Sequence, residues 1–302
     1  MTQLGIAITF ANALLLGLAF WRRRRSRLRS YGWIGLAILL LAEGLLFLRL
    51  WPVTLYFTPI AWTGYLLLVD AMVLAVSGTS RLHHEPRTFL LTALLSIPLW
   101  LIFEAYNLRL ANWTYVGLPS NRAAAWLGYA WSFATITPAI FETADLIEAF
   151  GWFPPARPVK FSTAAQNTMM GFGAVCLLAP LLAPERIATY LFGPVWVGFV
   201  LLLDPINHRL GRASLIRDFA EGRRSRLYSL LLSGWICAWF WEFWNYWAEA
   251  KWHYIFPIWQ HHKIFEMPVL GYLGFLPFAL ECFVMYVTAV SLLQIGSPPR
   301  WD

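Results

Sequence analysis

Acids and amides recur in this chain at matched spacing, inside runs that are otherwise apolar. One set reads Glu104-x-x-Asn107, then Trp113-x-Tyr115, Gly128-Tyr129 and Pro138-x-x-x-Glu142. The other reads Glu242-x-x-Asn245, then Trp252-x-Tyr254, Gly271-Tyr272 and Pro277-x-x-x-Glu281. Upstream, Gly64 is followed by Asp70 as Gly198 is followed by Asp204. The common order implies an internal duplication. Ionisable groups in such runs are expensive to keep in a bilayer, which makes them functional candidates. A central acid costs about 2.5–3.5 kcal/mol on the insertion scale, so four cost roughly 10–14 kcal/mol. Acids of that cost are expected to turn inward and share hydrogen bonds. Burial disfavours the anion, and a carboxylic acid kept neutral can give its proton to a substrate.

Glu and Asn at i and i+3 lie on one helix face. Glu104 with Asn107, and Glu242 with Asn245, should therefore address a common target. Trp235, Trp239 and Tyr246 fall on the same stripe as Glu242. Indole rings stabilise a desolvated cation by about 2 kcal/mol or more, so this stripe suits an apolar substrate that becomes cationic. Glu142 and Glu281 each follow a proline by four residues and are expected nearer the middle of their helices. An internal proline removes one backbone hydrogen bond and kinks the helix, here freeing the carbonyls of Ala134 and Leu273. Asp70 and Asp204 are expected near helix ends, within easier reach of water. The same Glu and Asn residues could instead tie two halves together, at about 0.6 kcal/mol per hydrogen bond in a membrane.

The elements that must carry these groups are membrane helices. The chain has 302 residues, 59% hydrophobic and only 13% charged, about half the charge of an average soluble domain. Several charge-poor windows reach roughly 20 residues, the length that crosses a bilayer as helix. No period-two alternation suggests a β-barrel. Nine helices are expected, at 4–20, 31–50, 54–77, 88–108, 124–149, 165–183, 187–206, 227–248 and 268–294. The fold class is thus all-α and polytopic.

The net charge of +7 gathers in two clusters, Arg22 to Arg29 and Arg209 to Arg226. Both fall between apolar segments. That pattern fits cytoplasmic loops facing an anionic inner leaflet, and not a nucleic-acid partner. With the first cluster in the cytoplasm, the amino terminus lies outside, the carboxyl terminus inside, and 17 of the 23 Lys and Arg residues are cytoplasmic. The expected location is the cell or inner membrane. Residues 1–30 then form a separate first helix and basic loop. Residues 31–152 and 165–302 form two four-helix repeats, joined by the proline-rich linker 153–164. An even helix number makes the repeats parallel, related by an axis along the membrane normal.

Other chemistry has little footing. Cys176, Cys237 and Cys282 lack metal-ligand spacing, and His83-His84, His253 and His261-His262 sit in loops without a carboxylate or thiolate framework. Phosphate loops, nucleophile elbows and nucleotide fingerprints do not occur.

The run Asn245, Trp252-x-Tyr254, Val269-Leu270-Gly271-Tyr272, Pro277 and Glu281 resembles the integral membrane lycopene cyclases of the carotenoid pathway. That family has an adjacent pair of acids after its proline, whereas here Cys282 or Thr143 follows the single acid. The resemblance implies an acid facing a polyene or isoprenoid, with Glu281 and Glu142 in the place of the family acid and Asn245 and Asn107 in that of its amide. The resulting expectation is an enzyme that protonates a carbon–carbon double bond for cyclisation, isomerisation or hydration. Glu281 or Glu142 would be the acid, with Glu242, Asn245, Glu104 and Asn107 orienting it. Trp239, Trp235 and Tyr246 would line the pocket. Proton-initiated chemistry needs no external cofactor. The rival expectations are a proton-coupled transporter and a lipid-binding or assembly protein without turnover.

Overall fold

The computed structural model describes residues 1–295 and is predominantly helical. Along the chain the helices are α1 (Thr2–Arg23), α2 (Ser30–Phe47), α3 (Phe57–Ser77), α4 (Arg81–His84), α5 (Pro86–Leu110) and α6 (Arg122–Ala149). They continue as α7 (Thr163–Leu182), α8 (Glu185–Ala188), α9 (Phe192–Arg209), α10 (Leu215–Ala220), α11 (Ser225–Trp247) and α12 (Phe275–Leu293). Four short strands are β1 (Trp113–Val116), β2 (Lys251–Tyr254), β3 (Lys263–Ile264) and β4 (Met267–Pro268). Helix occupies each of the nine segments read from the sequence. Among the described residues six helices, α1, α2, α3, α5, α7 and the stretch through α12, are long and apolar enough to cross a membrane.

Local chemistry sets the boundaries. Asn121, Ser162 and Ser214 cap α6, α7 and α10 with side-chain oxygens that accept from Ala124, Ala165 and Arg217 N–H, satisfying donors that a helix start leaves free. Pro86 opens α5, where a missing N–H costs nothing. Pro138 does lie inside α6. The gap it leaves is managed one position from the expected carbonyl: Ser96 Oγ of α5 donates to Phe133 O at 2.5 Å and accepts from Thr137 N at 3.0 Å. The expected kink at Pro277 does not occur. Val269–Gly274 forms a 3₁₀ helix, and Pro277 falls in the first turn of α12. Glu281 still lies nearer the middle of α12 than its start, as expected, and at the midpoint of the apolar span Val269–Leu293.

Helices α5, α6, α11 and α12 pack together at the centre. Helix α3 lies on α6 with α2 outside it, and α9 lies on α12 with α7 outside it. Helix α1 rests on α11. Without a hydrophobic drive between helices in lipid, small residues permit the close approach on which packing depends. Gly35 and Gly64 meet between α2 and α3, where a Cβ on Gly35 would stand 2.5 Å from Gly64 O. Gly173 and Gly198 meet in the same way between α7 and α9, with 2.8 Å from a Gly173 Cβ to Gly198 O.

These contacts make a test. Gly173→Leu should lower stability by about 1–3 kcal/mol, the usual cost of overpacking. Gly171→Leu, in the same helix with nothing within 4 Å, should leave it unchanged. Thermal unfolding in a nonionic detergent reads the difference.

Candidate functional site

The matched residues build two small modules at the ends of α5 and α11. Helix α5 stops at Ala111, whose φ of 49° turns the chain back. Asn107 then grips the start of the next segment: its Oδ1 accepts from Asn112 N at 2.8 Å and Trp113 N at 3.1 Å, and its Nδ2 donates to Trp113 O at 2.9 Å. Asn245 holds Trp252 likewise, accepting from its N–H at 3.0 Å and donating to its carbonyl at 2.9 Å. One turn back, Glu104 Oε1 accepts from Trp100 Nε1 at 2.8 Å, Trp113 Nε1 at 3.2 Å and Tyr115 Oη at 2.6 Å. Glu242 Oε1 accepts from Tyr254 Oη at 2.9 Å and Trp252 Nε1 at 3.4 Å. Glu and Asn do share a face and a target. The target is the Trp-x-Tyr strand of the same module.

The two strands then pair. β1 and β2 run antiparallel with Trp113 opposite Tyr254 and Tyr115 opposite Trp252. Burial, followed by the neighbouring carboxyl group, pushes both the Tyr115 and Tyr254 phenols well above the ordinary tyrosine value. They stay protonated and donate hydrogen bonds, and taken alone they are weaker acids than an ordinary phenol.

Near the paired strands lies a chamber of about 500 Å³. Its walls include Trp62 of α3, Trp100 of α5, Trp113 and Tyr115 of β1, Tyr129 and Phe133 of α6, Trp196 of α9, Trp241 of α11, Trp252 and Tyr254 of β2, and Phe278 of α12. Both modules contribute to it. Its volume is within the range of small-molecule sites, which are mostly apolar with few polar groups.

Several expected placements change. Glu142 and Glu281 are fully buried, but neither lines the chamber. Glu142 lies within electrostatic reach of Asp70, Asp145 and Arg81, and among the described residues neither it nor Glu281 has a hydrogen-bond partner of ordinary geometry. Trp235, Trp239 and Tyr246 point away from the chamber. Trp239 stacks on Tyr272 at 4.1 Å, Trp235 meets Trp239 edge-on at 5.4 Å, and Tyr246 packs on Phe265 at 5.5 Å. The reason is rotational: the α11 wall is Trp241, one residue and about 100° away from Glu242 around a helix.

Asp70 and Asp204 are buried, at 0% and 2% exposure, and not open to water. Asp70 accepts from Leu82 N at 2.8 Å, Tyr31 Oη at 2.6 Å and Ser80 Oγ at 2.8 Å. Asp204 accepts from Leu215 N at 2.7 Å and Ile216 N at 3.0 Å. Each thus caps the short helix, α4 or α10, that follows its own long one. Arg81 beside that cap binds Asp145 at 2.6 Å.

Trp62 and Trp196 are chamber residues that sequence reasoning passed over. The signal was available: each stands two residues before the matched glycine, Gly64 or Gly198. Comparisons with protein-family models, curated proteins and solved structures find no match to this chain.

Because Asn245 secures both backbone groups of one residue, Trp252, Asn245→Ala should cost about 1–3 kcal/mol, at about 0.5–1.5 kcal/mol for each lost hydrogen bond. Amide exchange should quicken at Trp252 and, across the ladder, at Tyr115. Exchange in α7 and α9 should not change. A uniform acceleration over the whole chain would contradict this local role.

Proposed function

We propose that this chain is an integral membrane enzyme acting on a hydrophobic isoprenoid or carotenoid-like lipid by carboxylic-acid proton transfer. The observation that carries the reading is an aromatic chamber with a carboxyl–phenol pair on each side, Glu104 with Tyr115 and Glu242 with Tyr254. Each phenol lines the chamber while its acid stands behind it. The donor role therefore passes from Glu142 and Glu281 to these pairs. Tyr254 or Tyr115 passes its hydroxyl proton to a double bond only as it takes one from a protonated Glu242 or Glu104, so the carboxyl group is the net acid and the hydrogen bond that each phenol donates to it reverses in the step. The carbocation rests against indole faces. Loss of a proton from the product cation returns it to the same pair, so cyclisation or isomerisation consumes none. Hydration adds a water molecule to the cation and releases the proton.

In this reading all nine long helices cross the membrane, with the first arginine cluster cytoplasmic and the amino terminus outside. Residues 31–152 and 165–302 are parallel repeats about an axis along the membrane normal, with 1–30 as an added helix and 153–164 as the joint. The recurrent asparagine grips, aspartate caps and glycine contacts support that arrangement. So does the strand register, which is unchanged when the two Trp-x-Tyr strands are exchanged. A second reading, lipid binding without turnover, draws on the hydrogen bonds by which Glu104 and Glu242 hold their own strands.

Expression in a host that makes linear carotenoids and other polyprenyl lipids, followed by lipid mass spectrometry, separates the two. The enzyme yields an isomer or a hydrated product. Tyr254→Phe and Glu242→Gln should each lower its formation by about 100- to 10,000-fold, the usual contribution of a positioned acid or base. An unaltered lipid that merely co-purifies with the protein would favour binding alone.

A further inference from the structure

We infer that the chamber is an organic-cation site, selecting apolar molecules that carry a tertiary or quaternary ammonium group over neutral or anionic ones of the same shape. The inference deepens the reading of this chamber as a lipid site and does not require turnover. It begins with the direction of the donors. The ring N–H and O–H groups of Trp100, Trp113 and Tyr115 are spent on Glu104. Tyr254 Oη donates to Glu242, and Trp252 Nε1 is shared between Tyr254 Oη at 2.9 Å and Glu242 at 3.4 Å. These five side chains line the chamber, yet their positive, hydrogen-bonding edges are already engaged, chiefly by acids that do not. Ring carbon surface is what they have left to offer a ligand. Aromatic faces carry the negative part of the ring quadrupole, and a hydrogen bond to a carboxylate makes the ring richer in electrons.

The carboxyl oxygens behind the wall have the same polarity. Glu104 and Glu242 flank the chamber through the two strands, and Glu242 Oε2 has no hydrogen-bond partner among the described residues although the side chain is wholly buried. The cations nearby are engaged. Lys251 lines the chamber but binds Glu266 at 2.9 Å and Tyr246 O at 3.1 Å, and Lys263 donates to Tyr254 O at 3.1 Å. His253 also binds Glu266, at 2.7 Å. An anion entering here would meet mainly ring faces, with Trp62 Nε1 and Thr58 Oγ1 as wall donors that have no hydrogen-bond partner among the described residues. A quaternary ammonium cannot donate a hydrogen bond and asks for none; faces of Trp and Tyr are what it binds.

The test uses the full chain in a nonionic maltoside detergent, with tryptophan fluorescence and equilibrium dialysis as readouts. The probes are hexyltrimethylammonium, its uncharged isostere with a quaternary carbon in place of nitrogen, and hexyl sulfonate. The ammonium should bind at least about tenfold tighter than the isostere, which is within reach of one desolvated cation–π contact, and the sulfonate should not compete. Glu104→Gln should narrow that ratio. Since this change could also loosen β1, Trp196→Leu serves as a second variant, in a wall residue that takes no part in holding the strands, and it should narrow the ratio too. Equal binding of ammonium and isostere, competition by the sulfonate, or no binding of either probe overturns the inference. Lipid conversion in the polyprenyl-producing host would then still stand as separate support for the enzyme. Ammonium selectivity without any conversion would instead keep the cation site and remove the catalytic reading.

Discussion

A helix that ends among apolar neighbours must find partners within the chain for its last carbonyls and for the peptide groups just beyond them. Here that need is met at two places by one amide each. Asn107 and Asn245 take hold of both the N–H and the carbonyl of a tryptophan and bring the next strand back over the helix end. Once the peptide is fixed, the indole and the tyrosine two residues on fall within reach of the glutamate one turn earlier. The strand is then presented edge-on for pairing. The position of β1 and β2, and so of much of the chamber wall, is set by these two side chains.

Polar groups elsewhere do comparable work at the opposite ends of the helices. Asp70 and Asp204 hold the turns after α3 and α9, and Ser96 bridges the break that Pro138 makes in α6. Each of these acids and hydroxyls answers an unsatisfied backbone group. Among the buried polar groups of the described residues without such an assignment are three of the matched acids, Glu142, Glu281 and, at one oxygen, Glu242. The first two lie outside the chamber wall, and the third backs it.

Much of the helical layout was legible in the sequence, because charge-poor runs of sufficient length have few other forms. The shared face of Glu and Asn was legible too, since i and i+3 positions coincide on any helix. What they face was not. A glutamate can address a ligand or the strand a few residues ahead with the same spacing, and only the path of the connecting loop decides. The wall residue of α11 was misread for a related reason. That helix carries aromatic residues on most of its circumference, so periodicity does not distinguish the Trp239 side from the Trp241 side. Pro277 looked like a kink because the apolar run began well before it; the 3₁₀ turn at Val269–Gly274 moved the start of α12 instead.

The pairing of β1 with β2 has a symmetry of its own. Trp113 faces Tyr254 and Tyr115 faces Trp252, so interchanging the partners reproduces the same ladder. Contacts of that kind are self-complementary, the sort that two identical subunits make across a two-fold axis. The symmetry is confined to the two Trp–Tyr pairs, since Thr114 meets His253 and Val116 meets Lys251.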